Sequence, residues 1–231
     1  MLRIVFIAIA LATFGCQACC ADTVTPENAQ QATCPIAEFF RGVLGEWVGV
    51  CKQSTDGKTT DDKYFNVSIR ETSANNFEAK FDYYRFDTTN KFARLGGSSL
   101  KIVVASDCSA TARVIGEGEV LVDNKPKKQE HDLTESLTLL SQEQLQARGE
   151  GDLKIYGMPL GIGKLGKVQD DQSSWKITNG ALSIQQSLSI VFKALCFSKS
   201  FKIEADYAAV RGSDLSNLIK KQTAKTTTAG G

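Results

Sequence analysis

Few residues of this 231-residue chain are suited to acid–base, metal or nucleotide chemistry. There is one histidine, His131, so a multi-histidine metal site is excluded and histidine-based catalysis would depend on that residue alone. His131 lies in the charged stretch KPKKQEHD, which predicts a solvated loop. No G-x-S-x-G elbow or nucleophile–base pair is visible, and the carboxylates are scattered on predicted exposed strand faces. We therefore expect no catalytic residue, no metal, no cofactor and no enzymatic activity.

The glycine-rich segment GIGKLGKV, residues 161–168, matches the dinucleotide pattern G-x-G-x-x-G. A phosphate site needs this turn between a strand and the N-terminus of a helix. Here the segment is followed by QDDQSS, a predicted polar turn, and then by another strand, which favours a flexible loop. The formal charge of +1 also excludes the basic surface on which nucleic-acid binding depends.

The chain has seven cysteines, and their positions divide them into two groups. Three lie near the N-terminus, and four lie in the body of the chain: Cys34, Cys51, Cys108 and Cys196. None of the four belongs to a C-x-x-C pair, which excludes the usual zinc and thioredoxin-like motifs. In an oxidising compartment they would form two disulfides in one of three connectivities, and four unpaired buried thiols are the alternative.

Residues 1–21 are typical of a secretory signal peptide, because a short basic start precedes an apolar run that is too short to span a bilayer. Two processing sites compete. Cleavage near Ala21 would release a secreted protein. Alternatively, the segment TFGC resembles a lipobox, and lipidation of Cys16 would give a periplasmic or outer-membrane-anchored lipoprotein. In either case we expect export, with contact to a membrane only through such a lipid anchor.

The remaining chain predicts a polar linker over residues 22–34, one short helix, and then strands. Ile36, Phe39, Phe40, Val43 and Leu44 recur with helical spacing, after Pro35 and before Gly45. Apolar and polar residues alternate with a period of two in the segments 65–70, 77–83, 100–104, 144–155, 175–190 and 197–207. We expect an all-β domain over 35–212, a single antiparallel up-and-down barrel of about eight to ten strands. Residues 213–231 should form a short C-terminal helix and a disordered tail.

Gly45-Glu46-Trp47, at the junction of the helix and the first strand, resembles the G-x-W signature of the lipocalins and the wider calycin superfamily. The resemblance implies a β-barrel in which the tryptophan fills the end closed by the helix. It also implies that an arginine late in the last strand packs over this tryptophan, and Arg211 is the matching residue.

A small barrel of this kind holds about one small ligand. The leading hypothesis is an exported binding protein that carries or sequesters a small hydrophobic ligand, such as a fatty acid or lipid. The predicted ligand-binding residues are Trp47, Phe65, Val67, Phe77, Phe81, Tyr83, Phe201 and Arg211. One alternative is a structural or interaction lipoprotein of the envelope with a filled barrel and no ligand. The other is a membrane-spanning barrel whose apolar residues face outward.

Overall fold

The computed structural model describes residues 34–59, 62–86, 91–122, 125–156, 166–194, 197–216 and 218. The predicted signal peptide, Cys16 and almost all of the linker lie outside this part of the chain. The elements are α1 (Pro35–Gly42), β1 (Gly45–Thr55), β2 (Lys58–Thr59), β3 (Lys63–Ser73), β4 (Asn76–Phe86), β5 (Phe92–Val104), β6 (Ala110–Val122), β7 (Lys125–Ser141), β8 (Gln144–Ile155), β9 (Gly166–Thr178), β10 (Ala181–Ala194) and β11 (Phe197–Arg211). Among the described residues, no helix has the length and apolar character needed to cross a lipid bilayer.

The strands form one antiparallel sheet that closes on itself. From β3 to β11 each strand pairs with the next, β3 also pairs with β1, and β11 returns to β1 from Trp47↔Arg211 to Thr55↔Ile203. The closed barrel has ten strands, and β2 adds a two-residue ribbon to β1. Closure pairs the strands that would otherwise be the edges of the sheet. The predicted fold class, an all-β up-and-down barrel, is therefore confirmed.

Helix α1 covers one end of the barrel. Pro35 begins it, Ile36, Ala37, Phe39 and Phe40 are buried, and the Phe40 ring lies 5.3 Å from the Phe77 ring of β4. The helix ends at Gly42, two residues earlier than the apolar spacing predicts. The chain has to turn sharply into β1, and Gly45 makes the turn at a φ of +116°, a conformation that glycine adopts without strain.

Side chains alternate between the interior and the outside of the barrel. In β7, for example, Leu133 and Leu137 are buried while Asp132, Thr134 and Ser136 are exposed. Most of the described apolar positions thus point inward and most of the charged positions outward, whereas a membrane-spanning barrel would turn its apolar positions outward.

Two predictions of irregular structure are wrong. The charged stretch that contains His131 belongs to the 17-residue strand β7, and the polar run after Gly166 belongs to β9. In both segments some inward positions are polar, so the sequence shows no apolar alternation. The predicted glycine loop, residues 161–168, lies outside the described residues up to position 165, and its last three residues belong to β9.

The structure describes only the start of the predicted C-terminal helix. There the Ser216 amide donates to Asp214 Oδ1 at 2.8 Å, and the Leu218 amide donates to the Leu215 carbonyl at 3.1 Å.

Candidate functional site

The interior of the barrel contains a cavity of about 160 Å³. Much of its wall is apolar and includes Phe81, Leu100, Leu133, Trp175 and Ile184. Nearly all of these side chains are buried in the core of the barrel. An apolar group can therefore enter this space and exchange contact with water for contact with protein.

One side of the interior is polar. Six side chains follow one another around the wall, each from a different strand, and the strands are neighbours or nearly so. We call these side chains the polar belt: Glu135, Asp171, Gln186, Tyr207, Cys51 and Tyr83. All of them except Asp171 line the cavity, and Asp171 lies behind Glu135 and Gln186 and is bonded to both. Such a belt can orient a ligand through hydrogen bonds.

Glu135 and Asp171 form a carboxyl pair inside the barrel. Their residues are 4% and 1% exposed, and their side chains are hydrogen-bonded to each other. Both residues pair across the sheet with Gly149 of β8, so they are neighbours separated only by a residue without a side chain. A Cβ at Gly149 would lie 2.7 Å from Glu135 Cγ and would also collide with the Thr134 carbonyl. The glycine therefore makes the carboxyl contact possible.

The environment of the pair keeps a proton on it at neutral pH. Burial, the negative charge of Asp171 and the hydrogen bond between the two raise the pKa of Glu135 to about 9. Burial also raises the pKa of Asp171, while the hydrogen bonds from Glu135 and Gln186 oppose this shift. Glu135 is therefore protonated at neutral pH and is the group that can donate a proton to the Asp171 carboxyl.

From Asp171 the polar belt continues through neutral groups. Gln186 Nε2 donates to Asp171 Oδ1 at 3.2 Å, and Tyr207 Oη makes a long 3.5 Å contact with Gln186 Oε1. The Tyr207 hydroxyl also contacts the Tyr83 hydroxyl and the Cys51 thiol. Burial raises the pKa of Tyr83 to about 12 and that of Cys51 to about 11, so both are uncharged at neutral pH. The thiol is therefore not activated as a nucleophile.

Four further ionisable side chains line the cavity: Lys63, Glu117, Glu119 and His131. His131 faces inward opposite Gly116, where a Cβ would lie 2.7 Å from His131 Nε2. Burial lowers the pKa of His131, which keeps the ring neutral at neutral pH. The prediction of a solvated loop histidine is therefore wrong. Burial also lowers the pKa of Lys63, whose Nζ donates to Gln53 Oε1 at 2.6 Å.

The structure brings only some of the predicted ligand-binding residues to the cavity. Phe81 and Tyr83 line it, with their rings stacked at 6.2 Å. Phe65 is fully buried and packs against the Phe81 ring at 6.1 Å. Val67 and Phe77 are buried in the core. Phe201 is half-buried, 5.8 Å from the ring of Phe192.

Trp47 and Arg211 lie at the closed end of the barrel. The Trp47 indole is 1% exposed, and its Nε1 donates to the Val43 carbonyl at 2.8 Å. Arg211 Cζ lies 4.4 Å from the Trp47 ring centroid, and the guanidinium donates to the carbonyls of Leu44 and Gly42 at 2.7 and 2.8 Å. The predicted packing of Arg211 over Trp47 is therefore present. It fastens the last strand to the end of the helix.

The predicted disulfides are not confirmed. Cys34, Cys51 and Cys108 are free thiols, and Cys196 lies outside the described residues. Cys51 faces the cavity. The thiols of Cys34, which precedes α1, and Cys108, in the turn between β5 and β6, are hydrogen-bonded to each other, and this contact raises the pKa of Cys108.

The sequence prediction missed the carboxyl pair, because it placed the carboxylates on exposed strand faces. A signal for the pair does exist in the sequence. Gly149 interrupts a row of inward apolar residues in β8, and acidic residues stand at inward positions of the strands on either side. Reading that signal requires the register between three strands.

No protein-family model and no curated protein sequence matches the chain. Among solved structures, it is similar to Rv2717c from M. tuberculosis, with 10% identity, coverage of 74% of this chain and 92% of that chain, and a TM-score of 0.43. It is also similar to the S-type phycobiliprotein lyase CPES from Guillardia theta, with 12% identity, coverage of 82% and 99%, and a TM-score of 0.28. A DUF3598-family protein of unknown function from Nostoc punctiforme has 12% identity, coverage of 76% and 98%, and a TM-score of 0.18. Similarity of this degree does not establish a shared function.

Proposed function

We propose that the protein is an exported binding protein that holds one small amphipathic ligand inside its barrel. The observation that carries this proposal is the enclosed cavity, whose wall changes from apolar side chains to the polar belt. A ligand with an apolar body and one polar group would satisfy both parts of the wall. Orientation by a few polar groups in a mainly apolar pocket is the usual design of small-molecule sites.

The size of the cavity narrows the ligand hypothesis. A volume of about 160 Å³ is close to that of an engineered cavity of about 150 Å³ that binds benzene. A compact ligand fits this space whole. A fatty acid or lipid would place only its polar end or a short part of its chain there, so the compact ligand is favoured over the long-chain one.

A filled barrel without a ligand is the second candidate function. It is favoured by the small volume, since ligand pockets typically measure about 300–1,000 Å³. In that case the cavity would hold only water between the polar groups, and the exposed outer face would carry the interaction with a protein partner.

A cavity-filling variant distinguishes the two candidates. Ala205 lines the cavity, whereas Ala208 of the same strand is exposed on the outside. Benzyl alcohol and toluene should raise the melting temperature of the wild type and of Ala208→Leu, but not of Ala205→Leu, because the added side chain occupies the ligand space. If neither probe stabilises the wild type, and native mass spectrometry of gently purified protein detects no bound molecule, the filled barrel is the correct description.

The export part of the proposal is supported by the signal-like residues 1–21. Fractionation of a bacterial host that expresses the full chain, with the mass of the mature N-terminus, tests it. A mature protein that begins with a lipid-modified Cys16 identifies the lipoprotein. A start near Asp22 identifies a secreted protein. An intact Met1 in the cytoplasmic fraction would contradict export.

Export would also favour a disulfide between Cys34 and Cys108, because their thiols are already in contact. Thiol–disulfide exchange with a donor disulfide would join the two sulfurs, and the donor would take up the two electrons and the two thiol protons to become a dithiol. Peptide mapping of the exported protein should find this bridge, with Cys51 still reactive after unfolding. Recovery of Cys34 and Cys108 as free thiols would contradict it.

A further inference from the structure

We propose that the ligand of the barrel carries a basic nitrogen, an ammonium or amidinium group, and that the carboxyl pair Glu135–Asp171 selects it. This inference rests on the proposed function, and it names the class of ligand that the same cavity takes. It is carried by the enclosed cavity, by the position of Glu135 on its wall and by the charge of Asp171 directly behind Glu135.

Asp171 is buried inside the barrel at 1% exposure without a cation beside it. Its carboxyl contacts Glu135 and the Gln186 amide, and neither is a cation. A buried carboxylate without a counter-charge lowers the stability of the fold, because the free energy lost on desolvation exceeds the free energy gained from hydrogen bonds to neutral groups. A cationic ligand would supply the missing positive charge.

The other ionisable groups that line the cavity do not supply it, and two of them, Glu117 and Glu119, are themselves acidic and pair with Lys128 and Arg85. Tyr83, Tyr207 and Cys51 are uncharged at neutral pH, and the His131 ring is neutral because it is buried. Lys63 donates to Gln53, and its electrostatic neighbours are Cys51, Arg85 and Glu119 rather than the carboxyl pair.

The geometry of the wall suits an N–H donor. Glu135 and Gln186 both line the cavity, so a Glu135 oxygen that is not bonded to Asp171 could accept a hydrogen bond from a ligand there. A ligand ammonium at this position would donate to Glu135 and lie one hydrogen bond away from the Asp171 charge. In this low-dielectric setting the attraction is much stronger than in water.

The apolar wall would hold the rest of the ligand. Phe81 and Trp175 both line the cavity, with their ring centroids 6.1 Å apart in an edge-to-face arrangement. Aromatic faces attract cations as well as apolar groups. A carboxylate ligand would instead place a second negative charge beside the carboxyl pair. The site should therefore discriminate against anions of the same size.

Four probes of nearly equal size test the proposal: benzylammonium, benzyl alcohol, toluene and benzoate. We expect calorimetry or ligand-observed NMR at pH 7 and low salt to show that benzylammonium binds at least about tenfold more tightly than benzyl alcohol, a difference of about 1.4 kcal/mol. Benzoate should bind most weakly of the four.

Variants locate the preference at the carboxyl pair. The double variant Glu135→Gln with Asp171→Asn removes the charge but keeps the shape and hydrogen-bonding groups. It should bind benzylammonium and benzyl alcohol within about threefold of each other. The single variant Glu135→Gln mimics the protonated acid, leaves the Asp171 charge in place, and should keep the preference. The matched control Glu150→Gln changes an exposed carboxylate on β8 and should also keep it.

The outcomes separate this inference from the proposed function. Equal binding of benzylammonium and benzyl alcohol to the wild type, or tightest binding of benzoate, would overturn the amine selectivity and leave the binding function intact. A preference that persists in the double variant would also overturn it. If no probe binds to the wild type, both proposals fail. The wild-type series does not depend on the folding of any variant.

Discussion

The two halves of the barrel interior have the same strand geometry but contain different kinds of side chain. At the closed end the inward positions are large and apolar, and Phe40 of α1 and the barrel residues Trp47 and Phe77 have almost no exposure. Around the cavity the inward positions include the polar belt, with the Glu135–Asp171 pair at its most buried point. The closed end stabilises the fold through packing, whereas the cavity half keeps groups inside the barrel that cost stability.

This contrast indicates which half can carry function. A barrel that needed only to fold would have apolar residues at the positions of Glu135 and Asp171, since well-packed apolar side chains often stabilise more than a buried charged pair does. Retaining carboxyl groups beside an enclosed cavity is the arrangement expected of a site rather than of a core.

The largest expected effect is at the closed end. Trp47→Ala should lower the free energy of unfolding by about 3–5 kcal/mol, because it removes a fully buried ring together with its hydrogen bond and its contact with Arg211. Urea denaturation measures this loss. The matched control Val210→Ala, an exposed position 44% accessible on β11, should stay within about 0.5 kcal/mol of the wild type. Equal losses in the two variants would contradict the contrast.

The second prediction concerns pH. Because the folded-state pKa of Glu135 lies above its ordinary value of 4.5, the folded protein retains a proton that the unfolded chain releases. Its contribution to stability is complete below about pH 4.5 and is lost as the pH rises toward about 9. The loss between pH 5 and pH 8 would be at most about 4 kcal/mol.

Comparison with Glu135→Gln isolates this effect. The amide has no proton to lose, so the stability of the variant should decline less than that of the wild type over the same pH range in urea titrations. His131 has the opposite effect on the pH dependence of stability, because burial lowers its pKa. This effect is the same in the wild type and in the variant. Parallel pH profiles for wild type and variant would show that Glu135 is not held protonated.

The third prediction concerns the gap between the two carboxyl groups. Gly149→Ala should destabilise the protein by about 1–3 kcal/mol, because the new Cβ collides with Glu135 and with the Thr134 carbonyl. In the control Gly118→Ala the nearest atom, the Leu95 carbonyl oxygen, is 4.0 Å away, so thermal unfolding should show no loss. A neutral Gly149→Ala would mean that the carboxyl groups do not need this space.

The smallest effect is expected for the link between Arg211 and Trp47. Arg211→Lys keeps the charge but loses the planar contact with the ring and one of the two carbonyl hydrogen bonds, and it should cost about 1 kcal/mol in urea denaturation. Ligand binding should be unchanged, because this contact lies outside the cavity. A change in probe affinity without a change in stability would show that the two halves are coupled.

Most of the fold could be predicted from local pattern. The alternation in β3, β4 and β8 indicates strands because a single face of each is apolar, and Gly45 and Trp47 mark the junction of helix and barrel. In β7 and β9 the same alternation is hidden, because Glu135, Asp171 and Ser173 are polar residues at inward positions. A rule that equates inward with apolar fails at the strands that carry the candidate site.

By itself, the sequence determined the class of fold and the helix α1, since these depend on short-range periodicity, whereas the contact of Arg211 with Trp47 was implied by the resemblance of Gly45-Glu46-Trp47 to the lipocalin signature. Only the tertiary structure decided what the interior contains. Strand pairing brings Glu135 and Asp171 to either side of Gly149, and barrel closure encloses them away from water. The raised pKa of Glu135 follows from that enclosure, because burial and a neighbouring carboxyl group each disfavour the ionised form.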